Sequence, residues 1–432
     1  MVSVVIAAAT CALMIASIRF FPVVTIRGRR IDLYPIIVLI GAAAMLAARQ
    51  TTFSAIGSAF TNASAVNPLK ILVLFLSMTL ISVFLDEVGF FRYLASKALR
   101  VAGGDQRKMF ALLYWTVSLL TVFTSNDIIV LTFTPFLCYF AKNAHIDPKP
   151  YLVAEFVAAN TMSMMLVIGN PTNIYIATAY HIGFGEYFLV MALPTFASAL
   201  LSFGILWLLF FKKLRAPVSA EPEEVTIEDR PLLVIGVTAL AVCTAFLIVG
   251  PYIGIDMWLV SLSALLLLLL AASVVGIKRK RYPKEVVATL KRAPWQLVPF
   301  VLSMFVIILG LTEQGMTEKI SSALGSDAAL WKYGALSYLS ANLINNIPMS
   351  VLFCPILAGL PDGSLLPATY ATIVGSNLGA FLTPIGALAG IMWLSLLKRH
   401  DVEMRYRDFI LYGAAVSLPS LAVNLAVLSL LV

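Results

Sequence analysis

The stretch that most limits how this chain can fold is 109–141, MFALLYWTVSLLTVFTSNDIIVLTFTPFLCYFA. It holds no Lys, Arg or Glu, and its one charge, Asp127, lies near the middle beside Ser125 and Asn126. As a straight helix it would run about 50 Å at about 1.5 Å per residue, against a hydrocarbon core of about 30 Å. A single crossing is too short for it. Two half-crossings that meet at the polar Thr124, Ser125, Asn126 and Asp127 fit. Arg107 and Lys108 precede the stretch, and Lys142 and Lys149 follow it. Basic flanks mark the cytoplasmic side, so a re-entrant hairpin that opens to one face is expected. Irregular backbone at membrane depth is tolerated only against protein or a water-filled cavity, which makes the polar tip a candidate binding site.

Composition fixes the broad class. A chain of 432 residues with 60% hydrophobic and 12% charged residues and a mean hydropathy of +0.94 is not a soluble globular protein. Apolar runs of bilayer length recur from end to end, as in a polytopic helical membrane protein. The net charge of +8 fits loops facing the cytoplasm better than a nucleic-acid partner, and none is expected. Cys11, Cys138, Cys243 and Cys354 are far apart in apolar runs and read as free buried thiols. No basic residue precedes the apolar run 2–18, and Arg19 follows it, which favours a first transmembrane helix over a cleaved signal peptide.

The first half reads as spans at 2–18, 34–48 and 71–91, the hairpin 109–141, a broken helix 151–179 and a span at 187–211. The polar segment 212–230 then serves as a cytoplasmic linker. The second half repeats the plan, with spans at 231–250, 258–277 and 297–311, a hairpin 330–360, a broken helix 370–397 and a span at 409–432. With both hairpins re-entrant, 26 of the 30 Lys and Arg fall on one face; only Arg49, Lys70, Lys319 and Lys332 do not. If either hairpin crossed fully, this positive-inside bias would collapse. The halves, 1–211 and 231–432, therefore run in opposite directions. Asn126-Asp127-Ile128 is answered by Asn345-Asn346-Ile347, 219 residues on, and Asn160 by Asn377, 217 on. The expected fold is an all-α polytopic membrane protein of two inverted repeats, with about ten transmembrane helices and two hairpins, an architecture of secondary transporters. Its expected location is the cell (inner) membrane, with both termini outside.

The chemistry is expected at the tips and breaks. Half-helix N-termini offer N–H groups to an anion or neutral oxyacid, and unwound carbonyls suit Na⁺. Thr124, Ser125, Asn126 and Asp127 form the first tip, with Asn342, Asn345 and Asn346 at the second. The breaks supply Gly169, Asn170, Pro171, Thr172 and Asn173 in one broken helix, and Thr383, Pro384 and Gly386 in the other, with Asn160, Ser376 and Asn377 just before them. Proline removes a helix hydrogen bond and frees carbonyls for a ligand. Asp127 is the one carboxylate deep in either hairpin, so it is the expected coupling residue; Glu155 is a second candidate. Asp86 and Glu87 close a span on the basic side and are expected to pair with an interfacial Lys or Arg. His145, His181 and His400 all fall in loops.

Five segments resemble the arsenite permease branch of the ion transporter superfamily: LDEVGFF (85–91), TSNDIIVLTFTP (124–135), APWQLVPF (293–300), NNIPMSVL (345–352) and NLGAFLTPIGALAGIMWL (377–394). That superfamily also holds NhaD-type Na⁺/H⁺ antiporters and the di- and tricarboxylate transporters, among them divalent anion:Na⁺ symporters. The resemblance runs along essentially the whole chain. It implies scaffold and transport domains, an elevator-like displacement, and substrate held between two hairpin tips and two broken helices. Asn126, Asp127, Asn345, Asn346 and the segments 169–173 and 383–386 match those family positions. Arsenite permeases tend to carry Asp where this chain has Asn160 and Asn377. A less negative cavity that accepts anions more readily is expected from that exchange.

The function expected from all this is a secondary active transporter, exporting an arsenite- or antimonite-like oxyacid or an inorganic anion. Na⁺/H⁺ antiport and coupled transport of a di- or tricarboxylate are the alternatives, with a channel or a membrane enzyme more remote. No HExxH, GxSxG, metal cluster or phosphate loop appears, so enzymatic activity is not expected. Nor is a cofactor, or a metal beyond Na⁺ at the hairpin tips; H⁺ or Na⁺ is the expected coupling ion. The expected partners are a small anion or oxyacid, the lipid bilayer and a second copy of the chain in a homodimer.

Overall fold

In the computed structural model the chain is almost wholly helical, and the structure describes residues 1–21, 23–26, 29–62, 67–215 and 225–432. The first half contains α1 (Val2–Phe20), α2 (Tyr34–Ala47), α3 (Phe53–Thr61), α4 (Pro68–Glu87), α5 (Phe90–Val101), α6 (Gln106–Phe123), α7 (Asn126–Asn143), α8 (Lys149–Met162), α9 (Pro171–Ala179) and α10 (Phe184–Phe210). The second half contains α11 (Arg230–Val249), α12 (Met257–Lys278), α13 (Lys284–Arg292), α14 (Leu297–Glu313), α15 (Met316–Leu324), α16 (Ala329–Ile344), α17 (Asn346–Leu357), α18 (Asp362–Gly379), α19 (Leu388–Arg399) and α20 (Tyr406–Leu428). The elements match one for one. Even the short α5 and α15 begin alike, each turning on a left-handed glycine, Gly89 (φ 86°) and Gly315 (φ 66°), which only glycine adopts without strain.

Packing repeats with the halves exchanged. α2 packs on α14 and α12 on α4, while α7 packs on α19 and α17 on α9. α10 meets α20 at the centre. There Asn424 Nδ2 donates to Ser198 Oγ at 3.0 Å, and Ser202 Oγ lies 2.9 Å from Ser420 Oγ. Both Ser198/Ser420 and Ser202/Asn424 are 222 residues apart, so one pair maps onto the other, as contacts astride a two-fold axis do. Small polar side chains of this kind hold helices together where lipid gives no hydrophobic drive.

Cross-chain contacts fix the directions. Along α8, Tyr151 bonds Gln106 at the start of α6, Glu155 bonds Thr134 in mid α7, and Asn160 bonds Asn126 at the start of α7. Both ends of the α6–α7 hairpin therefore lie at the level where α8 begins. Phe156 of α8 stacks on Trp393 of α19 with centroids 4.9 Å apart, so α19 runs back toward that same level. Tyr180, just past α9, bonds the Cys354 carbonyl near the end of α17, which places both of those ends on the opposite face. The two hairpins open to opposite faces.

The ion pairs sort the loops in the same way. Lys213–Asp147, Arg279–Asp229 and the pairs of Arg292 with Asp86 and Glu87 bind the basic loops together. Lys70–Asp256 and the Gln314–Gln50 contact lie on the other face. Arg292 is the interfacial partner expected for Asp86 and Glu87.

Among the described residues, six helical segments are long and apolar enough to cross a membrane alone; the apolar runs of α1 and α2 are shorter. The broken pairs α8–α9 and α18–α19 make up their length jointly. Two details differ from the sequence reading. A short antiparallel hairpin, β1 (Val23–Ile26) with β2 (Arg29–Asp32), follows α1; its β-branched Val-Val-Thr-Ile run suits a strand. α18 begins at Asp362 rather than at 370, since Pro367 lies within the helix without ending it. Pro135 and Pro355 are likewise carried inside helices. Of the linker 212–230, residues 216–224 lie outside the described residues.

Candidate functional site

Three half-helices begin near mid-depth, each on a polar N-cap. Ser125 Oγ accepts from Ile128 N at the start of α7, Asn170 Oδ1 from Thr172 N at α9, and Asn345 Oδ1 from Ile347 N at α17. Capping side chains satisfy donors that a helix start otherwise leaves free. Pro171, at the first position of α9, has no N–H to offer. These caps take up N–H groups at three of the starts, whereas the fourth half-helix, α19, follows Ala387 and has no side-chain cap. The caps also shift the internal register: Ser125 answers Asn345, 220 residues on, rather than Asn126 answering it at 219.

Asn345 stands at φ 71°, ψ 151°, a region that costs a non-glycine residue about 1–3 kcal/mol. Its surroundings hold it there. Asn345 Nδ2 donates to Ile385 O, and Asn346 N donates to Gly386 O, both at 3.0 Å. Asn342 Oδ1 accepts from Thr383 N at 3.0 Å and from Thr383 Oγ1 at 2.7 Å. The second tip is therefore clamped onto the break between α18 and α19. Asn345→Ala removes the cap and the bond to Ile385 while keeping the strained backbone; Asn345→Gly loses the same bonds but relieves the strain. The alanine variant is expected to melt lower than the glycine variant, and equal melting temperatures would refute the strain.

Both breaks close on a glycine. A Cβ on Gly169 would stand 2.2 Å from Ser163 O, and one on Gly386 would stand 2.6 Å from Gly379 O. Gly169 and Gly386 are 217 residues apart, so each repeat folds its broken helix back over the last carbonyls of the half-helix before it.

Across the repeats the amides interlock. Asn377 is fully buried and all its capacity is used. Its Oδ1 accepts from Asn170 Nδ2 at 3.0 Å and lies 3.0 Å from Ser163 Oγ. Its Nδ2 donates to Asn173 Oδ1 at 2.7 Å and to Ile373 O at 2.9 Å. Ser376 Oγ donates to Thr172 Oγ1 beside it. Asn160, equally buried, accepts from Asn126 Nδ2 at 3.0 Å and donates to Phe156 O. Ser163 joins the two groups, with its hydroxyl 2.9 Å from Asn160 O. The sequence reading passed over Ser163; its place three residues after Asn160 was the available signal. Because neither Asn160 nor Asn377 is exposed, the expected effect of their charge on an open cavity becomes an effect on this network. Thr124 is occupied locally, donating to Leu120 O, and Pro384 is buried within its break.

Asp127 is different. Ser125, Asn126 and Ile128 are buried, while Asp127 keeps part of its surface exposed. Its N–H is taken by Asn126 Oδ1 at 2.9 Å. Among the described residues its carboxylate has no hydrogen bond or ion pair, and it lies within electrostatic reach of Tyr34 on α2. It thus lies at the first tip, near enough to α2 for its charge to act on Tyr34. Glu155 lies apart from the tips, 2% exposed. Thr134 Oγ1 lies 2.9 and 3.1 Å from its two carboxyl oxygens, and the Trp393 indole N–H faces it without reaching hydrogen-bond geometry.

A family model described as citrate transporter (CitMHS) matches residues 23–375. The chain belongs to this citrate transporter family. It is 27% identical over 380 residues to the arsenical pump membrane protein of Escherichia coli K12, covering 82% of this chain and 85% of that protein. It is 28% identical over 382 residues to an uncharacterized transporter of Mycobacterium tuberculosis H37Rv, covering 82% and 84%. The crystal structure of the Alcanivorax borkumensis YdaH transporter, reported to have an unusual topology, shares the fold, with a TM-score of 0.57 over 99% of this chain and 97% of that one at 15% identity. This member of the citrate transporter family is a multi-pass membrane transporter.

Proposed function

We propose that the chain is a secondary active transporter that exports a small arsenite-like oxyacid or oxyanion, driven by H⁺ or Na⁺. The observation that carries this reading is the Asp127 carboxylate, without a hydrogen bond or ion pair among the described residues, on a tip whose other polar groups, like those of the second tip, are neutral amides and hydroxyls. No Lys, Arg or His occurs among the tip and break residues. A neutral oxyacid needs both donors and acceptors, which Asn, Ser and Thr supply together. A space of about 20 Å³ lies between the second tip and the start of α9, beside Pro171, Thr172 and Ile347, enough for a water-sized group. The names of the arsenical relatives support the same substrate. The family model favours a second reading, a citrate-class carboxylate; with no basic residue at the tips, its charge would have to be offset by Na⁺.

Movement follows an elevator scheme in this reading. The hairpins and broken helices (α6–α9, α16–α19) shift as a unit against the remaining helices, with the basic face toward the cytoplasm and both termini outside. A bare carboxylate on the moving tip opposes such a shift, because desolvating an unpaired charge is costly. A bound H⁺ or Na⁺ removes the obstacle, which couples the ion to the substrate. Glu155, sealed by its neighbours, holds α7 against α8 and takes no part in ion exchange. The test is flux of arsenite and of citrate in vesicles under imposed proton and then sodium gradients. Flux of neither probe under either gradient would overturn the reading. Labelling of a cysteine at residue 220 from outside intact cells would overturn the orientation.

A further inference from the structure

On the face away from the basic loops, a cavity of about 300 Å³ opens between the starts of α4 and α12 and the turn joining α9 to α10. Ile71 lines it and also lines the small space beside Pro171 and Thr172. The cavity thus abuts the candidate site through one side chain. Thr178 and His181 line it on the α9 side, and at the start of α12 two donors converge on one carboxylate oxygen. Lys70 Nζ donates to Asp256 Oδ2 at 3.0 Å, and the Trp258 indole N–H donates to that same oxygen, also at 3.0 Å.

Asp256 precedes α12 but makes no capping hydrogen bond with its side chain. Its carboxylate serves the two donors instead, and they hold its carboxyl below the usual carboxylate range. Exposure is uneven: the Lys70 side chain is 25% exposed and that of Asp256 54%. The cation belongs to the wall, whereas the carboxylate stands largely in water. A half-exposed pair of this kind gains little net stability, so a solute can compete with it.

We propose that this cavity is an anion site separate from the tips, in which a carboxylate or other oxyanion displaces Asp256 from Lys70 and Trp258. Asp256 Oδ2 marks where the incoming oxygen binds. The arrangement is a charge-assisted N⁺–H···O⁻ bond plus one indole donor, a pair that discriminates by charge. It goes beyond the transport reading and does not depend on which solute reaches the tips.

Met257 lines the cavity beside Asp256, so Met257→Cys reports on its occupancy. The experiment uses the purified full chain, with Cys11, Cys138, Cys243 and Cys354 replaced by alanine, and follows labelling by an uncharged thiol reagent. Citrate and inorganic sulfate are expected to slow the labelling saturably, while neutral boric acid, which does not react with thiols, leaves it unchanged at the same concentration. Asp256→Asn removes the internal competitor and should lower the half-protecting concentration about tenfold at low salt. Lys70→Gln should abolish protection, and Trp258→Phe should weaken it; the latter decides the matter if Lys70→Gln does not fold. Absence of protection by both anions, equal protection by boric acid, or unchanged protection in Trp258→Phe would each overturn the proposal. The readout involves no flux, so failure of the transport reading would not alter it.

Discussion

Asn377→Ala is expected to cost the protein its folded state. The alanine would leave Asn170 Nδ2 without a partner, Asn173 Oδ1 with only the 3.4 Å contact to Thr172 Oγ1, and Ser163 with Asn160 O as its one acceptor. A polar group buried without a partner costs about 1–3 kcal/mol, and with the cavity left by the side chain and the weakened bonds beside it the loss takes up much of the margin of about 5–15 kcal/mol by which proteins stay folded. Asn377→Asp should be nearly as harmful when ionised, because a carboxylate cannot donate to Asn173 Oδ1 or Ile373 O. Size-exclusion chromatography and thermal melting in detergent check this. A monodisperse Asn377→Ala protein melting within a degree or two of wild type would show that the network is not what joins the repeats.

Much of the plan was legible before any coordinates. The run 109–141 was too long for one crossing and too polar at Thr124–Asp127 for two, which left only a hairpin. The fourfold asparagine pattern at 126, 160, 345 and 377 located the centre of the molecule. The bias of Lys and Arg fixed which loops share a face, and the ion pairs of Arg292, Lys213 and Arg279 bear that out. What stayed hidden was the partner of each polar group. Periodicity cannot tell that Asn170 and Asn173 reach across to Asn377, because that contact depends on how two breaks cross in space. The offset of 219 misled by one residue, since the cap at each tip falls on Ser125 in one repeat and Asn345 in the other. Chemically different residues holding one structural position leave no trace in a pattern of identities. The strain at Asn345 was equally invisible, because asparagine is a common tip residue and its backbone angles follow from the clamp onto Ile385 and Gly386.

Asp127→Asn should uncouple the transporter while leaving its fold intact. The carboxylate has no hydrogen bond or ion pair among the described residues to lose, and the backbone bond of Asp127 to Asn126 does not involve it. The melting temperature should therefore stay near that of wild type or rise slightly, since a partly buried charge has been removed. Loss of folding in this variant would place Asp127 in a structural pair instead.

The most direct measurement of the central claim is solute accumulation in proteoliposomes by the wild type and by Asp127→Asn, with arsenite and citrate as probes. Proton and sodium gradients are imposed separately. The wild type is expected to concentrate one probe against its gradient under one of the two ions, and Asp127→Asn to reach only equal concentrations on both sides. Accumulation by Asp127→Asn equal to that of the wild type, under the same ion, would contradict the account.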